Sequence, residues 1–121
     1  MPTRIQRRRT KGWSAPEGAV YVGRGSKWGN PWRVVRTSTG FRVIGPFGDP
    51  WARAVDEDDG RRTAAEAYRQ YGPGSLDNLV QDARKELAGR DLACWCPLPE
   101  PGQPDHCHAA VLLAWAAGGD A

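Results

Sequence analysis

The apolar residues of this chain fall into short runs with two different periods, separated by glycine- and proline-rich breaks. Ala19-Val20-Tyr21-Val22 is β-branched and aromatic and predicts a strand, ended by Gly23-Arg24-Gly25-Ser26 and followed by a second turn at Gly29-Asn30-Pro31. Trp32-Arg33-Val34-Val35-Arg36 and Phe41-Arg42-Val43-Ile44 predict a hairpin around Ser38-Thr39-Gly40. Residues 45–60 are rich in Gly, Pro and acid and predict a loop, with Asp56-Glu57-Asp58-Asp59 as a solvated turn. Thr63-Ala64-Ala65-Glu66 matches a capping box, which predicts a helix starting there. That helix carries Ala64, Ala67, Tyr68 and Tyr71 on one face and stops at Gly72. Ser75 is placed to cap a second helix, in which Leu76, Leu79, Val80, Ala83 and Leu87 recur at helical spacing before Gly89. Asp91-Leu92-Ala93-Cys94-Trp95-Cys96 predicts a strand stopped by Pro97. Asp105 is placed to cap a last helix, which buries Val111, Leu112 and Trp115 and ends at Gly118-Gly119.

Helices lying between strands point to an α/β or α+β layer fold, here a short sheet flanked by about three helices. The 121 residues suffice for one core, and the pattern divides into a basic N-terminal arm, residues 1–12, and a single α/β domain, residues 13–121. No run of about 18 apolar residues is present, so no membrane partner is expected. The basic start has no apolar segment behind it and does not read as a secretory signal. With an odd number of cysteines, three, a disulfide framework is not expected, and a reducing cytoplasmic setting is.

Charge changes this picture. The chain is +3 overall, but residues 1–36 hold nine basic groups against Glu17 alone, giving +8, while the remainder is −5. A one-sided positive segment attracts phosphates, on nucleotides or on nucleic acid. A solvated basic tail is the simpler reading for residues 4–11, but not for Arg24 and Lys27, which fall inside a patterned segment.

The chemistry is concentrated further on. All three cysteines and both histidines lie between Cys94 and His108. Cys94 and Cys96, alternate residues of a strand, point to one face at its C-terminal end. Cys107 and His108 would lie in the first turn of the last helix, where the dipole and free N–H groups favour a thiolate. Three readings stay open. Cys94, Cys96, Cys107 and His108 form a zinc site, although the spacing is unlike a zinc knuckle and adjacent Cys107 and His108 chelate one ion poorly. Alternatively, Cys107 or Cys96 is a reactive thiol with His108 or His106 as its base, making Cys96, Cys107 and His108 the catalytic candidates. In the third, Cys94 is a buried strand residue and the others are incidental.

The second chemical feature is the loop after the first strand, Gly23-Arg24-Gly25-Ser26-Lys27-Trp28-Gly29-Asn30-Pro31. Glycine lets backbone N–H groups approach a phosphate, Arg24 can grip it with two parallel bonds, and Ser26, Lys27 and Asn30 add donors. Trp28 is a candidate for stacking on a base, and Trp32, followed by a strand, is better placed in the core. The spacing is not that of a Walker A loop. In α/β sheets ligands bind beyond the C-terminal ends of strands, so this loop and the cysteine segment are expected to share one crevice.

Gly12-Trp13 followed by Tyr21-Val22-Gly23-Arg24-x-Ser26-Lys27-Trp28-Gly29-Asn30-Pro31 resembles the N-terminal signature of an uncharacterised family, domain of unknown function 4326, found in bacteria and their phages. Gly89-x-x-Leu92-x-Cys94-x-Cys96, then Cys107-His108-x-x-Val111-Leu112, resembles its C-terminal signature. The resemblance implies that the two motifs belong to one site and brings no established activity. The family pattern has an Asp two residues after its Cys-His pair, where this chain has Ala110, and the segment from residue 97 to 106 is longer than usual.

The expected function is binding of a nucleotide-like or other phosphorylated small ligand, with hydrolysis or group transfer on it. Arg24, Ser26, Lys27, Trp28 and Asn30 would hold the ligand, and the cysteines and His108 would line the reaction centre or hold a metal. A zinc-stabilised nucleic-acid-binding module without catalysis is the alternative, and a phage-type inhibitor or adaptor is a third.

Overall fold

The computed structural model describes residues 2–75 and 78–118. It is a mixed α/β domain with two three-stranded sheets where the pattern predicts one. The elements run β1 (Arg4–Gln6), β2 (Val20–Tyr21), β3 (Arg33–Thr37), β4 (Gly40–Ile44), β5 (Pro50–Ala54), α1 (Glu57–Ser75), α2 (Leu79–Glu86), β6 (Leu92–Cys94) and α3 (His108–Ala116).

The first sheet is parallel, in the order β1-β6-β2. Its central strand β6 is buried along its whole length, and it pairs Arg4 with Leu92 on one side and Val20 with Leu92 on the other. Residues 4–6 of the basic segment are therefore sheet residues. The second sheet is the antiparallel meander β3-β4-β5. Its first turn is tight because Gly40, at φ 132°, takes a conformation that side chains disfavour.

Strand β5 and the start of α1 correct the expected loop over residues 45–60. Pro50 and the Gly45–Gly48 turn hide β5, whose side chains alternate between exposed Trp51 and Arg53 and half-buried Ala52 and Ala54. The acidic run is the first turn of α1. Asp56 accepts the Asp59 N–H at 2.7 Å, and Asp59 accepts the Val55 N–H at 3.0 Å, a reciprocal cap about two turns before the expected box. Three carboxylates in that turn suit the positive end of the helix dipole. Thr63 is thus a mid-helix residue. Helix α1 also runs past Gly72 and through Pro73 to Ser75. Ser75 ends α1, and Asn78, at φ 57°, precedes α2. The expected core positions Leu79, Ala83 and Leu87 are buried, whereas Leu76 and Gly119 lie outside the described residues.

Helix α1 joins the two halves, packing on all three antiparallel strands and on α3, which covers β6 and β1. Val22, Trp28, Trp32, Val43, Tyr68, Leu92, Leu112 and Trp115 belong to one continuous core. No helix among the described residues is long and apolar enough to cross a membrane.

Candidate functional site

The strand–loop–helix passage from β6 to α3 brings the thiols together. Cys94 is the last residue of β6, Cys96 lies two residues beyond it, and Cys107 stands at the N-cap of α3. Cys107, not Asp105, thus holds the N-cap position, and its side chain makes no capping bond. The three Sγ atoms all lie within 4.8 Å of one another, and those of Cys94 and Cys96 are 3.8 Å apart. None is in a disulfide. Three thiols this close can hold a metal ion.

They cannot ionise independently. Cys94 is the one whose thiolate is favoured, because Cys107 and then Cys96 hydrogen-bond to it. Cys107 is pushed up by those same bonds to Cys94 and Cys96 and by burial. Cys96 is hydrogen-bonded by Cys107, yet its bond to Cys94, burial and the Cys94 charge together push it up to about 11. The three thiols titrate as a coupled group, with the first charge favoured on Cys94.

His108 belongs to the wall of this cluster. Its Nε2 lies 2.6 Å from the Val22 carbonyl, which can only accept, so Nε2 carries the proton and Nδ1 is bare. Nδ1 faces the Cys107 Sγ at 3.8 Å. Burial pushes the imidazole pKa down, so the ring is neutral, and its plane stands edge-on to Tyr68 at 5.3 Å.

Arg4 holds the ends of the thiol segment in place. Its guanidinium donates to the Asp105 carboxylate, to the Cys96 carbonyl at 2.8 Å and to the Pro97 carbonyl at 2.5 Å. One side chain from β1 thereby fixes both the residue that carries Cys96 and the approach to Cys107. Burial works against its charge, but the Asp105 bond and the neighbouring thiols hold the proton on. Nothing in the sequence sets Arg4 apart from the other arginines of its segment, because its partners lie at the far end of the chain.

The 23–31 loop distributes its side chains unevenly. Ser26 turns inward, its Oγ donating to the Gly23 carbonyl at 2.7 Å. Lys27 pairs with Glu86 at 2.7 Å and Asp82 at 3.5 Å, tying the loop to α2. Trp28 is a core residue, 5% exposed, whose carbonyl accepts the Tyr68 hydroxyl at 2.9 Å. Asn30 spends its amide on the Ala64 carbonyl and the Trp32 N–H. Arg24 alone among these five is exposed and has no carboxylate partner among the described residues.

A cavity of about 520 Å³ opens between this loop and the thiols. Arg24 and Asn30 line it from the loop, and Cys94, Cys96, Cys107 and His108 from the cluster. Arg9 and Arg33 add cationic walls, and Arg61 adds one that is already paired with Glu57 and Asp58, each at 3.3 Å. The strand alternation of Trp32-Arg33-Val34 carries a signal for Arg33, but none marks Arg61 on α1. Trp32, 3% exposed, also lines the cavity, and its indole N–H has no acceptor among the described residues. His106 stands at the rim, with Nδ1 3.1 Å from an Asp58 oxygen. That bond holds the Asp58 carboxyl below the usual range.

Comparison with curated proteins and with solved structures finds no match to this chain. The model of one uncharacterised family, Domain of unknown function (DUF4326), matches residues 5–118, so the thiol cluster, the loop and the cavity between them all fall inside it, and the chain belongs to that family.

Proposed function

We propose that the chain binds a phosphorylated, nucleotide-like ligand in the cavity between the 23–31 loop and the thiols, and hydrolyses it or transfers a group on it. The observation that carries this reading is that one 520 Å³ space is walled both by Arg24 and Arg33 and by the three thiols. Its size falls within the roughly 300–1,000 Å³ of small-molecule sites. The arginines suit phosphate oxygens, and the unpaired Trp32 indole N–H suits a further acceptor on the ligand. Of the loop residues, Arg24 is the one free to grip phosphate, while Ser26, Lys27 and Trp28 shape the loop.

Zinc is the metal this donor set fits. Zn–S bonds of about 2.3 Å in a tetrahedron separate the sulfurs by about 3.8 Å. The Cys94 and Cys96 sulfurs are 3.8 Å apart. Cys94, Cys96 and Cys107 would hold the ion, and His108 would stand beside Cys107, its orientation set by Val22. Three protein ligands leave one coordination position, the arrangement of catalytic zinc. Bound there, zinc supplies a Lewis acid and an acidified water.

Thermal-shift measurements with nucleoside phosphates, beside elemental analysis, test both parts. The expected result is stabilisation by at least one nucleotide, lost in Arg24→Ala, and one zinc per chain, lost in Cys96→Ser. Absence of stabilisation by every phosphorylated nucleotide removes the ligand reading. A melting temperature of metal-free protein that added zinc does not raise removes the zinc. A nucleotide that binds but is recovered unchanged after long incubation favours the non-catalytic nucleic-acid module.

A further inference from the structure

We infer that the ligand is a nucleotide of a single-stranded nucleic acid, whose neighbouring phosphates run along a strip of arginines outside the cavity. The inference rests on the cavity reading and names its substrate class.

Beside the cavity lies an open groove of about 550 Å³, lined by Gln6, Arg7, Arg8, Arg9, Thr10 and Trp95. Arg9 and Trp95 also line the cavity, so the two spaces meet. The arginines are not presented from a loose tail. They follow directly on β1, and the Arg7 N–H donates to the Cys94 carbonyl at 2.8 Å, adding a rung at the end of β6. The groove therefore starts at the same strand end as the thiols.

The side chains are ordered for anions. The Trp95 ring is flanked by the Arg7 guanidinium at 5.0 Å and the Arg9 guanidinium at 4.7 Å, and Arg7 also lies 4.8 Å from the Tyr21 ring. Stacking of this kind uses the face of a guanidinium and leaves the N–H groups in its plane for phosphate oxygens. Among the described residues, none of Arg7, Arg8 and Arg9 has a carboxylate within ion-pair distance, and no acid lines the groove. The Arg7 Nε is buried with no acceptor among the described residues.

A mononucleotide fills the cavity and leaves this strip of charge unanswered. A strand answers it, with one nucleotide in the cavity and the next phosphates on Arg9, Arg8 and Arg7. A single strand suits the cavity better than a duplex, because a nucleotide entering from a duplex must first leave its stack and its partner, at a cost in free energy. Arginines with an aromatic ring at the mouth are what single strands bind.

The test uses fluorescence anisotropy with a labelled octathymidylate, unlabelled thymidine monophosphate and a duplex of the same sequence as competitors, and Arg8→Glu. Arg8 is exposed and outside the cavity, so the variant reads the strip and not the fold. The strand is expected to bind at least about tenfold more tightly than the mononucleotide, with log affinity falling about 2 per decade of salt for three phosphates. Arg8→Glu is expected to erase that advantage and leave mononucleotide binding in place. Equal affinity for strand and mononucleotide, an unchanged Arg8→Glu profile, or preference for the duplex overturns this inference alone. Binding of neither strand nor mononucleotide overturns the cavity reading with it.

Discussion

Arg4 and Arg24 show how differently one residue type is used within a short stretch of basic sequence. Arg24 is exposed on a loop, and its worth lies in what it can bind. Arg4 has a side chain only 3% exposed, and its worth lies in the Cys96 and Pro97 carbonyls and the Asp105 carboxylate that it satisfies. Replacing it by methionine keeps much of the buried volume but strands a carboxylate and two carbonyls. Arg4→Met should therefore cost about 2–4 kcal/mol in urea unfolding. It should also make at least one thiol react faster with a disulfide reagent, since the segment carrying Cys96 loses its anchor. Unchanged stability and thiol reactivity would show that β6 and α3 hold the cluster unaided. The thiol cluster itself was legible, because its members are close in sequence and chemically distinctive. Arg4 was not, because a clamp is defined by partners that only the folded chain brings near. Lys27 and Asn30 misled for a related reason: in a sequence, a donor committed to a carboxylate on α2 or a carbonyl on α1 looks the same as one waiting for a ligand.

Helix α1 decides how the two sheets meet, and its closest approach is at a glycine. A Cβ on Gly60 would lie 2.7 Å and 3.0 Å from the two methyls of Val34 on β3, so the helix can sit this near the strand only because that Cβ is missing. Helix propensity alone favours Ala over Gly by about 1 kcal/mol, but forced overpacking costs about 1–3 kcal/mol. Gly60→Ala should lower stability, and Val34→Ala in the same chain should recover most of the loss. A double-mutant cycle by chemical denaturation reads the coupling, and a stabilising Gly60→Ala would mean that α1 stands off from β3. The helix also explains what the pattern hid. Thr63-Ala64-Ala65-Glu66 is a valid capping box by type and spacing, but Asp56 offers an earlier cap and the acidic turn extends the helix to meet it. Removing that cap as Asp56→Ala should cost about 1 kcal/mol. Strand β5 was lost because Pro50 and two nearby glycines look like loop. An edge strand tolerates such neighbours, since its outer N–H groups need no partner.

At the scale of the molecule, Tyr68 and the thiols both hold the domain closed, and His108 touches each of them. Tyr68 of α1 donates to the Trp28 carbonyl of the loop, meets His108 edge-on and stacks on Trp115 of α3 at 5.7 Å. Burial raises its phenol pKa above the ordinary 10.0, so the folded state keeps a proton that the unfolded chain releases. Its contribution to stability is whole below pH 10 and falls above it by about 1.4 kcal/mol per pH unit. Tyr68→Phe should lose about 1 kcal/mol at pH 8 and show a shallower decline between pH 10 and 11 than the parent protein. Parallel declines would place the alkaline loss elsewhere. The thiols act in the same way, joining the end of the central parallel strand to the start of α3 across the proline-rich segment. A zinc bound by Cys94, Cys96 and Cys107 in the folded chain would stabilise the whole domain by mass action, about 4 kcal/mol at a thousandfold excess over its dissociation constant, less whatever the unfolded thiols bind. Metal-free protein should therefore melt well below zinc-loaded protein, and the difference should grow with free zinc. Cys96→Ser should melt near the metal-free value and respond little to zinc, because two sulfurs cannot close the site. A melting temperature that ignores added zinc would leave the thiols as packed core residues beside an arginine-lined cavity, and the chemistry at its base would then have to come from thiolate and imidazole alone.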